Sequence, residues 1–240
     1  KATLQGDARA CLRRLMEALE PLGPRSDWLG RAQELVAEWR ESVSEVSNSD
    51  GSPIRPERLC KELTDFLPSD AVLVSDTGHS GIWTGTMIDL KDQTQQYIRC
   101  AGSLGWGFPG ALGAKCAVPD RPVICFTGDG GFWYHMSELE TALRYGINAI
   151  IVVNNNHSLN QEKRSNDRLY EGQSGNSEEL WHMLDVDLAK LAQSIGCFGI
   201  RVDQPGQIQS AIEQAIDSGK PAVIDVVSDI DGIAPPSWRP

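Results

Sequence analysis

From residue 53 onward the chain alternates short, continuous apolar runs with amphipathic stretches. Residues 71–75, 123–126, 149–153, 198–202 and 222–227 read as strands buried on both faces, and residues 97–100 as a further strand. Between them, residues 56–67, 137–145, 188–195 and 208–216 place apolar side chains at helical spacing; Leu139, Ala142 and Leu143 are one such set. Strands without polar alternation, separated by helices, imply a parallel sheet covered on both sides. The expected fold is therefore α/β: a doubly wound, mostly parallel six-stranded sheet with helices on both faces. Such sheets hold ligands beyond the carboxyl ends of their strands.

The first residues read differently. Gly6-Asp7 opens a helical pattern with Leu12, Leu15, Met16 and Leu19 on one face, ended by Pro21 and Gly23. A second helix follows Ser26-Asp27, with Leu29, Leu35, Val36, Trp39 and Val43 on its apolar side. Residues 47–53 (Ser-Asn-Ser-Asp-Gly-Ser-Pro) have linker composition. They separate a helical remnant at 1–47 from a domain at 53–235. Residues 154–177 are polar and rich in Asn, Ser and Gly, and read as a mobile loop beside the site, a lid.

Composition narrows the choice of function. A length of 240 residues is enough to bury a full core. The net charge of −11 argues against nucleic acid, whose phosphates need a basic face. No apolar run approaches the ~20 residues of a membrane span. The opening Lys1-Ala2-Thr3-Leu4 has neither signal-peptide character nor an initiator Met, which suggests a trimmed, tagged or cleaved piece. The six cysteines form no CxxC pair and the four histidines no HExxH, so reduced, buried thiols in a cytoplasmic protein are expected.

The chemistry concentrates between residues 128 and 156. Gly128-Asp129-Gly130-Gly131 follows one buried strand, and Asn154-Asn155-Asn156 closes the next. If the two strands are neighbours, Asp129 and Asn156 can face one ion. Mg²⁺ takes about six oxygens and usually shares them with phosphate and water. Glycines let the backbone approach a phosphate, and the following helix offers its N-terminus to negative charge. Upstream, Gly105-Trp106-Gly107-Phe108-Pro109-Gly110 matches GxGxxG with Asp129 roughly twenty residues on, imitating a dinucleotide fingerprint. A nicotinamide or flavin oxidoreductase is thus one rival reading. A non-catalytic or split-subunit Mg²⁺-diphosphate domain is another.

Gly-Asp-Gly followed, one βαβ step later, by Asn-Asn resembles the diphosphate signature of thiamine-diphosphate-dependent enzymes, and residues 101–113 resemble the segment that precedes it. The nearest group in style is the acetolactate synthase-like 2-oxo acid decarboxylases and carboligases, lyases and transferases. The resemblance covers about residues 53–230, that family's C-terminal diphosphate-binding domain; Leu4-Gln5-Gly6-Asp7 and the helix after it resemble the tail of its middle domain. It implies thiamine diphosphate and Mg²⁺ as cofactors. Asp129, Asn156 and the main-chain oxygen of Ser158 would ligate the metal, and Gly128, Gly130 and Gly131 would line the diphosphate. Thr77, Gly78 and His79 would meet the phosphates from an earlier strand. Leu104 would wedge the cofactor into its bent shape, and Gly102 would lie by the aminopyrimidine. His135 and His157 flank the turns as candidates for proton transfer or as structural loop residues. The family's catalytic glutamate belongs to an N-terminal pyrimidine-binding domain that nothing here matches. The resemblance therefore implies a C-terminal portion, inactive alone, of a homo-oligomeric enzyme acting on a 2-oxo acid. A flavin (FAD) in the middle domain is compatible with the family and supported by no residue here.

Overall fold

The computed structural model describes residue 3, residues 5–20, residue 23 and residues 25–235. Lys1, Ala2, Leu4 and Pro21, which figure in the reading of the N-terminal region, lie outside the described residues. The chain divides into two compact units, Lys1–Ser42 and Val43–Pro240. The division falls ahead of the 47–53 linker because residues 44–47 pack on the helix that follows it.

The first unit contains α1 (Ala8–Ala18) and α2 (Ser26–Ser42). Asp7 caps α1 by accepting the Ala10 N–H at 2.9 Å, satisfying one of the free donors of the first turn. The apolar sides expected on both helices are present, and Leu12, Leu15 and Met16 of α1, Leu19 just after it, and Leu29, Leu35, Val36 and Trp39 of α2 are exposed.

The second unit runs α3 (Ser44–Ser47), α4 (Pro56–Phe66), β1 (Val72–Ser75), α5 (His79–Met87), β2 (Gln96–Arg99), α6 (Gly107–Ala117), β3 (Val123–Gly128), α7 (Asp129–His135), α8 (Glu138–Tyr145), β4 (Ile150–Asn155), α9 (Asn160–Leu169), α10 (Leu188–Ile195), β5 (Phe198–Val202), α11 (Ile208–Asp217) and β6 (Ala222–Val227). The strands form one six-stranded sheet in the order β2-β1-β3-β4-β6-β5. Every pairing is parallel. The chain leaves β1 toward β2 and returns to the other side of β1 as β3. That reversal is the switch point at which an open α/β sheet leaves a crevice at its carboxyl edge.

Alternate strand residues feed two cores, which is why the central strands run apolar without a polar alternation until their carboxyl ends. Leu73, Ile124, Phe126, Val152 and Ile224 pack on one side with Leu59 and Leu63 of α4, Trp83 of α5 and Ile212 of α11. Val74, Val123, Cys125, Ile151 and Val153 pack on the other with Phe108 of α6, Phe132 of α7, Leu139 of α8 and Leu188 of α10. The Phe108 and Phe132 rings stack at 5.8 Å. All six cysteines are free thiols; Cys60, Cys125 and Cys197 are buried, while Cys116 is exposed at the end of α6. Among the described residues, no helix is long and apolar enough to cross a membrane.

Residues 154–177 are not one long loop. β4 extends to Asn155 and α9 occupies Asn160–Leu169. α9 has no apolar stripe to announce it. It is fastened instead by Lys163 over the Trp181 ring, the Trp181 Nε1–H donated to Asp167, and the Asn160 amide donated to the Ile230 carbonyl.

Candidate functional site

Three adjacent strands, β1, β3 and β4, end side by side. Their register pairs Ser75 with Phe126 and Gly128 with Asn154. The segments that leave them surround one cavity of about 260 Å³. Thr77, Gly78, His79, Gly102, Leu104, Gly128, Asp129, Gly130, Gly131, Asn156 and Ser158 all line it. Every cofactor or metal position named from the sequence is thus brought to one place. Ser80, Asn154, Leu159, Asn160, Gln161 and Glu162 line it as well; of these, Ser80 and Glu162 had no signal in the sequence. They come from α5 and α9, neither of which the sequence pattern reveals.

Asp129 opens α7 and is only 3 % exposed. Its Oδ2 accepts the Ser158 N–H at 2.9 Å, which ties the β3 turn to the β4 turn. Burial pushes the Asp129 carboxyl up to about 7; main-chain N–H groups from Ser158 and Gly130 pull it part of the way back. None of the ion pairs among the described residues involves it. Around it, Asn154 Oδ1, Ser158 Oγ and His79 Nδ1 are buried without a hydrogen-bond partner. Orphaned oxygens beside an uncompensated carboxylate are what a hard cation would satisfy. No group of three His, Cys, Asp or Glu side chains at metal-binding distance occurs among the described residues. The protein offers one carboxylate rather than a cage, which suits an ion that takes its other ligands from phosphate and water. Thiamine diphosphate with Mg²⁺ therefore fits the residues present.

Asp76 holds this arrangement together and was missed from the sequence. It follows β1 as Asp129 follows β3, and that position was the available signal. Buried at 1 % exposure, it accepts the Thr77 N–H at 2.7 Å, the Gly105 N–H at 3.1 Å and the Thr127 hydroxyl at 2.9 Å. A side chain at Gly131 would collide with the Asp76 carboxylate and meet Thr127 Oγ1 at 2.8 Å. A side chain at Gly128 would meet only Ser80 Oγ, at an ordinary 3.6 Å. Gly131→Ala is expected to cost about 1–3 kcal/mol of folding stability, and Gly128→Ala far less. Urea unfolding of the two variants checks this; equal losses would contradict it.

The 100–106 segment is pinned at two points. Thr77 Oγ1 accepts the Gly102 N–H at 2.8 Å, and Asp76 takes that of Gly105. Gly105 has φ 88°, and a Cβ there would lie 2.7 Å from Tyr134, so only glycine fits. Leu104 stands between the pins with its side chain at the cavity. The GxGxxG glycines are used for packing: Gly107 lies on the Asp76 backbone and Gly110 on the Trp106 ring. None of the three lines the cavity, so the dinucleotide reading loses its phosphate loop. His135 and His157 do not line it either. His79 does, and burial, helped by the nearby Arg164 charge, lowers its pKa.

Residues 76–226 match the model of the thiamine pyrophosphate enzyme C-terminal TPP binding domain. The chain belongs to this family. As such a domain, it is 32 % identical over 234 residues to the probable acetolactate synthase large subunit of Methanocaldococcus jannaschii, covering 93 % of this chain and 38 % of the relative. It is 28 % identical to the acetolactate synthase isozyme 3 large subunit of Escherichia coli (strain K12), covering 93 % and 40 %. Among solved structures, the thiamine diphosphate-dependent 4-hydroxybenzoylformate decarboxylase of Rhodococcus jostii RHA1 superposes with a TM-score of 0.67 at 28 % identity, over 77 % of this chain and 34 % of that one. The chain thus spans about two fifths of the length of the curated relatives it matches.

Proposed function

We propose that residues 53–235 bind thiamine diphosphate through Mg²⁺ and serve as the C-terminal domain of an acetolactate synthase-like enzyme acting on a 2-oxo acid. Residues 1–47 are then the tail of a preceding domain. The observation that carries this reading is the buried Asp129 carboxylate, without an ion-pair partner, lining one cavity with Asn156 at the ends of neighbouring strands. Asp129, the Asn156 side-chain oxygen and the Ser158 main-chain oxygen would hold the cation. Gly128, Gly130 and Gly131, lacking side chains, would let phosphate oxygens approach the main chain, with Thr77, Gly78 and His79 lining the same cavity. Leu104 and Gly102 shape the wall where the cofactor's rings would lie. When bound, the cofactor would supply a carbon nucleophile and an electron sink for decarboxylation of a 2-oxo acid. This chain's residues anchor, orient and exclude water; they do not supply the ring's proton donor. A pyrimidine-binding domain or subunit carrying a glutamate is the required partner, in a homo-oligomer of lyase or transferase activity.

Thermal denaturation tests the cofactor. Saturating thiamine diphosphate and Mg²⁺ together are expected to raise Tm by on the order of 5–10 °C, because ligand at ~100 times its Kd stabilises by about 2.7 kcal/mol. Either component alone is expected to do much less, and NAD nothing. Stabilisation by NAD alone would overturn the reading. The isolated 240 residues are expected not to turn over pyruvate; robust decarboxylation or carboligation by them would refute the need for a partner.

A further inference from the structure

The turn bearing Asn156 and Ser158 is held from behind by a closed ring of polar side chains, none of which lines the cavity. Asp225 on β6 is fully buried. Its Oδ1 accepts from Asn155 Nδ2 at 2.8 Å, and its Oδ2 accepts the Leu188 N–H at 2.9 Å and Arg201 Nη1 at 3.1 Å. From β5, Arg201 also donates to Asp185 Oδ1 at 2.8 Å. That same oxygen lies 3.5 Å from His157 Nε2. The His157 main-chain N–H donates to Asn155 Oδ1 at 3.3 Å, which closes the ring.

His157 sits between the two cation-facing residues in a left-handed conformation, φ 56°, the one non-glycine residue with positive φ among the described residues. Such a backbone persists when its surroundings over-determine it. Here Asp185 restrains the side chain and Asn155 the N–H. The sharp turn lets Asn156 and Ser158 meet the same cavity. An ion pair of this kind can also be purely structural, since a buried carboxylate needs a partner wherever it lies. The ring differs in that both of its ends terminate on the residues flanking Asn156.

We propose that Arg201 and Asp225 are positioning residues for the cation site, setting the geometry of Asn156 and Ser158 through Asn155 and His157. This rests on the cofactor reading above. Mg²⁺ demands a near-ideal octahedron, whereas Ca²⁺ accepts irregular geometry. A loosened turn must therefore penalise Mg²⁺ more than Ca²⁺.

The test uses the full polypeptide with thiamine diphosphate, titrated with Mg²⁺ or Ca²⁺ and followed by tryptophan fluorescence. In Asp225→Asn and Arg201→Gln the Mg²⁺ concentration for half-saturation is expected to rise about tenfold or more, the usual cost of losing an outer partner of a metal ligand. The Ca²⁺ value is expected to rise less. Arg201→Lys keeps a charge beside Asp225 but lacks the fork that spans to Asp185, and is expected to fall between wild type and Arg201→Gln. Unchanged Mg²⁺ dependence in folded variants, equal weakening for both cations, or failure of even Arg201→Lys to fold would each overturn the proposal and leave the ring as a structural ion pair. A wild-type protein showing no cation-dependent binding would instead refute the cofactor reading.

Discussion

Replacing Asp129 by Ala is expected to abolish the Mg²⁺-dependent part of thiamine diphosphate binding. Asp129 is the one buried carboxylate among the residues lining the cavity; Glu162, which also lines it, is exposed near the start of α9. Losing an outer partner of a ligand typically weakens a metal by 10–100-fold, so losing the charged ligand itself is expected to exceed roughly 100-fold. The wild-type pH dependence follows from the same residue. Its folded pKa, about 7, lies above the ordinary carboxyl value of 3.8. The cation-free fold therefore favours the protonated form and loses stability as pH rises from 3.8 to about 7. Cation binding has the opposite trend, because below about 7 the metal must displace a proton. Affinity is expected to be flat at higher pH and to fall toward about tenfold per pH unit on the acid side. Isothermal titration of Mg²⁺ at a series of pH values checks both points. Asp129→Asn is expected to flatten the profile and to stabilise the cation-free protein above neutrality. A wild-type profile already flat across that window would contradict the assignment.

The strands were legible because a parallel strand covered on both faces leaves an apolar run with no polar interruptions, as in Ile150 to Val153. The site's core was legible for a chemical reason: few residue types besides glycine, Asp and Asn hold a cation against a diphosphate, and they stood at two consecutive strand ends. The helices that complete the cavity were not. α5 and α6 both contain glycines and show no one-sided apolar stripe (α5 mixes Thr and Ser with Ile and Trp, and α6 is apolar nearly all round), so no helical periodicity announces them. α9 is polar throughout and depends on Trp181 and Ile230, remote in sequence. For the same reason the roles of Asp76 and Asp225 were not legible, although the place of Asp76 directly after β1 marked it as a site candidate. Their meaning lies in Thr127, 51 positions away, and in Asn155, 70 positions away, and no local pattern reports such a pairing.

Leu104→Ala is expected to leave the fold and most of the cofactor affinity in place while lowering kcat in the full polypeptide by about 10²-fold or more, the scale set by misplacing reacting groups by ~1 Å. A fully buried Leu→Ala would cost 2–5 kcal/mol, but Leu104 is only half-buried, with its side chain at the cavity rather than in either core. The loop that presents it does not depend on it. The Gly102 N–H on Thr77 and the Gly105 N–H on Asp76 survive truncation of the side chain between them. In the proposed reading, affinity comes from Asp129, Asn156 and the glycines, which this substitution leaves intact. The missing bulk therefore acts on the shape in which the cofactor is held, an effect felt in the transition state more than in binding. Separate measurement of kcat and of the thiamine diphosphate half-saturation resolves the two contributions. Leu104→Met keeps an apolar body of similar volume and is expected to recover most of the rate. If truncation instead weakens cofactor binding in proportion to kcat, Leu104 is an anchor rather than a wedge, and the bent-cofactor role passes to another residue of the cavity wall.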